Sequence, residues 1–124
     1  MTEEQKTALL VWMCEQVYTD VRVVQGGVMA SDPTLHAGLY DIRLTLDLLA
    51  KVELAVCEKY GLVLKSDKSI TPFGVNYGIY YHTIDVDYRE DVLTPRFTNS
   101  DETKARTEAL YEVMLWAKKQ EDEG

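Results

Sequence analysis

Val75-Asn76-Tyr77-Gly78-Ile79-Tyr80-Tyr81-His82-Thr83-Ile84-Asp85-Val86-Asp87-Tyr88 is the stretch on which the fold turns. It is crowded with Tyr, Ile and Val, residues that fit a pleated, half-buried surface, so it predicts a strand. Alternation sets Tyr80, His82, Ile84, Val86 and Tyr88 on one face. Tyr77, Ile79, Tyr81, Thr83, Asp85 and Asp87 take the other, which turns polar at its C-terminal end and should leave the core there. Just upstream, residues 62–64 read as a short strand, and the polar residues 66–74, with Pro72, as a loop. Downstream, Arg89-Glu90-Asp91 reads as a turn, and residues 92–97 as an antiparallel return in which Pro95 marks an edge or a strand end.

Helices flank this centre. A third helix should begin near Ser100, where Asn99 and Glu102 have capping-box spacing and Asp101 suits the positive helix end. Ala105, Ala109, Leu110, Val113, Trp116 and Ala117 form one broad face, with Arg106 in its middle, and residues 120–124 read as a frayed tail. A second helix is expected over residues 32–60, capped by Asp32 and Pro33 and stopped by Gly61. Leu35, Leu39, Ile42, Leu46, Leu49, Val56 and Tyr60 make one stripe, and Leu44, Leu48, Val52 and Ala55 another. Two stripes imply two packing partners, the rest of the domain and either the β-sheet or another subunit. Glu53 interrupts the first stripe, so its carboxylate must be paired, protonated or hydrated. A first helix is expected over residues 3–24, with Thr2 and Gln5 as a capping box and Gly26-Gly27 as its stop. Leu10, Met13, Cys14, Val17, Tyr18, Val21 and Val24 share its main face, while Leu9, Trp12 and Val23 suggest a second contact surface. The expected fold is therefore α+β and a single domain. A helical hairpin over residues 1–60 precedes a small antiparallel sheet and a closing helix over residues 61–119.

Composition narrows the function. Thirteen Lys and Arg stand against 21 Asp and Glu, a net charge of −8 over 124 residues. That balance argues against non-specific nucleic-acid binding and against anionic membrane surfaces. It leaves room for a small anion in a local basic pocket. The N-terminus lacks a signal-peptide pattern, and the longest apolar run, residues 8–14, is far short of the ~20 needed to span a bilayer. A cytoplasmic protein is expected, with Cys14 and Cys57 as reduced thiols on helices and no metal-binding spacing between them.

The chemistry-bearing residues gather around the third helix start. Arg96, Asn99, Ser100 and Arg106 lie within 11 residues. A helix N-terminus offers unpaired N–H groups, and arginine adds planar donors suited to phosphate or carboxylate. Phe97, Tyr80 and Tyr81 could stack on a base, with His82 and Glu53 completing the candidate ligand site. Glu53 and Arg106 could instead form a structural ion pair. A metal held by His82, Asp85 and Asp87 would need a bulge, because His82 points away from the two aspartates, so no metal is expected. No phosphate loop, G-x-S-x-G or H-E-x-x-H occurs, so neither a cofactor nor an enzymatic activity is expected.

Glu58-Lys59-Tyr60-Gly61-Leu62, the Tyr-rich strand, Phe97-Thr98-Asn99-Ser100-Asp101-Glu102 and Thr107-Glu108-Ala109-Leu110 together resemble the second half of a type of small phage or prophage protein built as an α-β-α sandwich. The resemblance spans residues 58–119 and transfers no catalytic residue. It implies a mobile-element origin and a counter-defence role. Such a factor either sequesters an anionic, nucleotide-like signal or, as an acidic inhibitor, binds a host defence or nucleic-acid-processing protein. In the second case Trp12 and Leu9 would be anchors. A homo-oligomer is expected from the spare apolar stripe.

Overall fold

The computed structural model describes residues 1–123. The fold is α+β, with an N-terminal helix, antiparallel sheets and a C-terminal helix. The chain divides into two compact units, Met1–Ala55 and Val56–Gly124. Among the described residues no helix is long and apolar enough to cross a membrane.

The first unit opens with α1 (Glu3–Val17), which starts with the expected capping box. The Gln5 N–H donates to Thr2 Oγ1 at 3.1 Å, and the Thr2 N–H donates to Gln5 Oε1 at 2.8 Å. The helix stops at Val17 rather than running to residue 24. The Tyr18 N–H closes it on the Cys14 carbonyl. β1 (Thr19–Val24) and β2 (Gly27–Ser31) then form an antiparallel hairpin, and β3 (Tyr40–Ile42) pairs with β2. The correction has a local cause. Val21, Val23 and Val24 are β-branched, stiff at χ1 and better suited to a strand. Val24 pairs with Gly27, which leaves Gln25 and Gly26 as a two-residue loop with Gly26 at φ +90°. The glycine pair thus turns a hairpin instead of ending a helix. Asp20, at φ +55°, sits in a bulge between Thr19 and Arg22. Cys14, Val28 and Ala30 are fully buried, with Leu10, Val11, Tyr18, Val21 and Ile42 packed around them.

Gly26 separates the two readings experimentally. Gly26→Ala has open space around the new Cβ, so only the left-handed backbone opposes it. The expected result is a loss of about 1 kcal/mol in urea unfolding. A helix through this region would instead gain about that much from the same substitution.

α2 (Leu46–Tyr60) is half the expected length. Asp32 does not cap it. The Thr34 N–H and hydroxyl both donate to Asp32 Oδ1, at 2.9 and 2.7 Å, in a local turn that competes with helix. Those bonds hold the Asp32 carboxyl below its ordinary range. The cap is Thr45, whose Oγ1 accepts the Leu48 N–H at 3.1 Å. A three-stranded sheet therefore stands where the sequence predicts the end of one helix, a glycine stop and the start of the next. Leu48, Leu49, Val52 and Val56 are buried, as are Leu9 and Trp12. Leu9 and Trp12 are therefore not the exposed anchors expected, while of the second stripe Leu48 and Val52 are buried and Leu44 is 40% exposed. Leu35, outside the helix, is exposed.

In the second unit Gly61, at φ +65°, ends α2 as expected. β4 (Leu62–Thr71) and β5 (Gly74–Ile84) then form a long hairpin paired over every residue of β4. The loop expected at residues 66–74 is thus mostly strand. Its side chains are exposed through Thr71, so their polarity reads as loop although the backbone is paired. β5 ends at Ile84, short of Tyr88. Asp85 Oδ1 accepts the Asp87 and Arg89 N–H groups, and Tyr88 adopts φ +61° to close the turn. The residues expected to turn, 89–91, instead lead into β6 (Glu90–Val92).

β6 and β7 (Phe97–Asn99) pair with the same edge of β5, split by Thr94 and Pro95. The Leu93 and Thr94 N–H groups both donate to the Tyr81 carbonyl, and the Tyr81 N–H donates to Thr94 Oγ1. Pro95, which has no N–H, falls in the gap. α3 (Glu102–Glu123) packs on β5 and β7 and buries Ala105, Ala109, Leu110, Val113, Met114 and Ala117. It outruns the expected end at Lys119, and the Tyr60 hydroxyl donates to Glu121 at 2.9 Å. The helix cap is Asp101, whose Oδ1 accepts the Thr103 N–H at 2.9 Å, rather than Asn99.

Candidate functional site

Strand alternation sorts the second sheet into two faces. Ile79, Tyr81 and Leu62 lie on one face and are buried, on the side that α3 covers. The other, outer face carries Asp67 and Lys65 from β4, Gly78, Tyr80 and His82 from β5, and Glu90 from β6.

Two ion pairs bridge β5 from strand to strand. At one end Lys65 Nζ lies 3.0 Å from Glu90 Oε1. The same oxygen is 3.7 Å from His82 Nδ1. Tyr80 and His82 stack beside them, ring centroids 5.3 Å apart and tilted by 54°. At the other end Arg96 reaches over Gly78 to chelate Asp67: Nε donates to Oδ2 at 2.9 Å and Nη2 donates to Oδ1. Gly78 is what permits that crossing. A Cβ there would lie 2.5 Å from the guanidinium. Arg96 holds the Asp67 carboxyl below its ordinary value of 3.8 through these bonds. A lowered carboxyl makes its contribution to stability above the ordinary value, and loses it as the pH falls through the lowered one.

The Gly78→Ala variant tests this arrangement. The methyl displaces the far end of the Arg96 side chain, so the bidentate pair opens. The Asp67 carboxyl is then expected to titrate at higher pH, close to 3.8, in a carbon-detected NMR titration. An unchanged titration would mean that Arg96 needs no glycine to reach Asp67.

The expected ligand residues do not assemble on one face. Arg96, Tyr80 and His82 come together on the outer face. Tyr81 is buried on the opposite face, which Phe97, paired with Ile79, also shares. Asn99 accepts the Asp101 N–H through its side chain, and Ser100 is an exposed bend residue. Arg106 Nη1 lies 3.6 Å from Glu102 Oε1, one turn earlier on α3. Glu53 is on α2 in the first unit, buried to 4% exposure. The anion seat expected at the start of α3 is filled by the chain itself, because the Asp101 carboxylate takes the Thr103 N–H. Both cations of the outer face, Lys65 and Arg96, are likewise held by carboxylates. Among the described residues no group of three or more His, Cys, Asp or Glu is placed to hold a metal ion.

A feature outside the expected set completes the picture. Past Tyr77 and Asn99, where β7 pairing stops, the β4–β5 hairpin continues as a two-stranded ribbon. Its tip carries Phe73, 99% exposed, next to Ile70, 75% exposed. The Phe73 N–H donates to Thr71 Oγ1 at 3.1 Å, which tightens the turn behind the ring. The signal for it was Pro72-Phe73-Gly74, a turn-forming proline and glycine around an aromatic, but the polar residues before it read as a loop. No family model, no curated protein and no solved structure matches the chain.

Proposed function

We propose that this protein is a non-enzymatic binding protein that docks on another protein through the tip of the β4–β5 hairpin. The observation that carries this reading is Phe73, a whole aromatic ring in water at the end of a projecting two-stranded ribbon. Such a ribbon is marginal by itself, and an aromatic at its tip adds nothing to a core. Buried in a partner's pocket, the same ring is the kind of anchor that dominates interface energies. A net charge of −8 disfavours an anionic bilayer as the target and favours a protein with a basic surface. With the likeness of residues 58–119 to small phage proteins, the reading becomes an acidic inhibitor of a host defence or nucleic-acid-processing protein, acting in the host cytoplasm.

Capture of a nucleotide-like anion has less support. Arg96 is chelated by Asp67, Asp101 caps the helix that would receive the anion, and Phe97 and Tyr81 lie on the wrong face for Arg96. Quantitative affinity capture from a host lysate separates the two. The wild-type chain is expected to enrich a specific protein, and Phe73→Ser to lose at least ten-fold of that enrichment while keeping its thermal midpoint. Stabilisation of the chain by cyclic nucleotides in a thermal-shift panel, with equal capture by both forms, would overturn the proposal.

A further inference from the structure

β4 is paired with β5 on one side, and among the described residues no strand takes its other edge. That edge is ten residues long, and its side chains from Ser66 to Thr71 are exposed. Open edges of this length invite another strand. The charges along β4 select which one.

We infer that the edge of β4 pairs antiparallel with β4 of a second copy of this chain. A two-fold axis normal to the sheet keeps like faces together, so each residue meets one of the same face. One register places Ser66 opposite the partner's Ser66. It then sets Lys65 directly opposite the partner's Asp67, and Asp67 opposite the partner's Lys65. Leu62 meets the partner's Ile70 and Leu64 meets the stem of the partner's Lys68. The registers shifted by one pair to either side set Lys65 or Asp67 against its own copy, a like-charge contact that destabilises a ladder. A further shift toward the hairpin tip sets Lys68 against itself, and one the other way, centred on Leu64, loses both Lys65–Asp67 pairs.

The outer face adds a second reason. Within one chain Arg96 holds Asp67, and Lys65 holds Glu90. In the chosen register the row across the interface runs Arg96, Asp67, the partner's Lys65 and the partner's Glu90, alternating in sign throughout. Symmetry repeats the row on the other side of the axis. The pairing also covers Ile70, and it leaves the Phe73 tips at the two far ends of the joined strands, so it is independent of the proposed docking function.

Light scattering on a size-exclusion column at about 100 μM is expected to return twice the 14.2 kDa mass of one chain. Ser66→Lys puts two like charges on the axis at an exposed position and is expected to return the single-chain mass, with an unchanged circular dichroism spectrum. Register is read by oxidation. Ser66→Cys should form an intermolecular disulfide, because facing Cα atoms in such a ladder stand about 5 Å apart. Ser69→Cys should not, because its two copies would lie about 20 Å apart along the strand. The wild-type chain controls for Cys57. A single-chain mass for the wild type, or equal crosslinking at positions 66 and 69, would overturn the inference.

Discussion

Leu110→Ala is expected to lower the unfolding free energy of the second unit by about 3 kcal/mol, measured by urea denaturation followed by circular dichroism. Leu110 is fully buried on the face of α3 that packs on β5 and β7. Val113 and Met114, one turn further along the same helix, are buried as well. Packing around a deleted side chain relaxes only in part, so a residual cavity adds its cost to the lost transfer energy. A loss of that size is a large part of the ~5–15 kcal/mol that holds a small domain together. Leu115→Ala is the matched control. Leu115 is 44% exposed on the same helix, and truncating it is expected to cost well under about 1 kcal/mol. Similar losses at the two positions would mean that the apolar face of α3 is not the one that packs.

Cys14 makes the first unit sensitive to alkali. Burial, and to a lesser degree the neighbouring Glu15, push its thiol from an ordinary 9.0 up to about 11. The sign follows from which form the fold prefers. A raised thiol binds its proton more tightly folded than unfolded. Its contribution is therefore complete below pH 9 and is lost as the pH climbs from 9 through about 11. Two pKa units correspond to about 2–3 kcal/mol. Tyrosines and lysines titrate in the same range, so the measurement is the difference between wild type and Cys14→Ala. The wild type is expected to lose about that much more stability between pH 8.5 and 11. Parallel profiles would show that the thiol is not desolvated. The same burial should keep Cys14 unreactive toward thiol reagents at pH 7 until the unit unfolds, because the thiolate is the attacking species.

Much of the architecture was legible in local chemistry. The capping box at Thr2 and Gln5, the Gly61 stop, the alternating faces of residues 77–84 and the apolar face of α3 all follow from side chains acting within a few residues of one another. The failures share a cause. Residues 19–24 carry apolar groups at spacings that fit a helix, but the β-branched valines and the loop at Gln25 and Gly26 favour a hairpin with residues 27–31. In residues 32–45 the Asx turn at Asp32 and the pairing of Tyr40–Ile42 with β2 override a leucine periodicity. Polar residues 66–71 read as a loop because nothing in them reports the partner strand that pairs with every one of them.

The candidate site shows the same divide more sharply. Proximity in sequence put Arg96, Phe97, Asn99 and Ser100 together, but a strand sends neighbours to opposite faces, and Arg96 left the group altogether to bind a residue 29 positions away. The residue types already carried the net charge of −8, the α+β class and the Thr2–Gln5 capping box. Only the tertiary structure decided that Gly78 is a passage for an arginine, that Asp101 fills the end of α3, and that Phe73 stands bare at a hairpin tip. The physical reason is range. Capping, turn strain and side-chain alternation act over one to four residues and are written into the local sequence, whereas strand pairing and cross-strand ion pairs join residues whose separation no local pattern encodes.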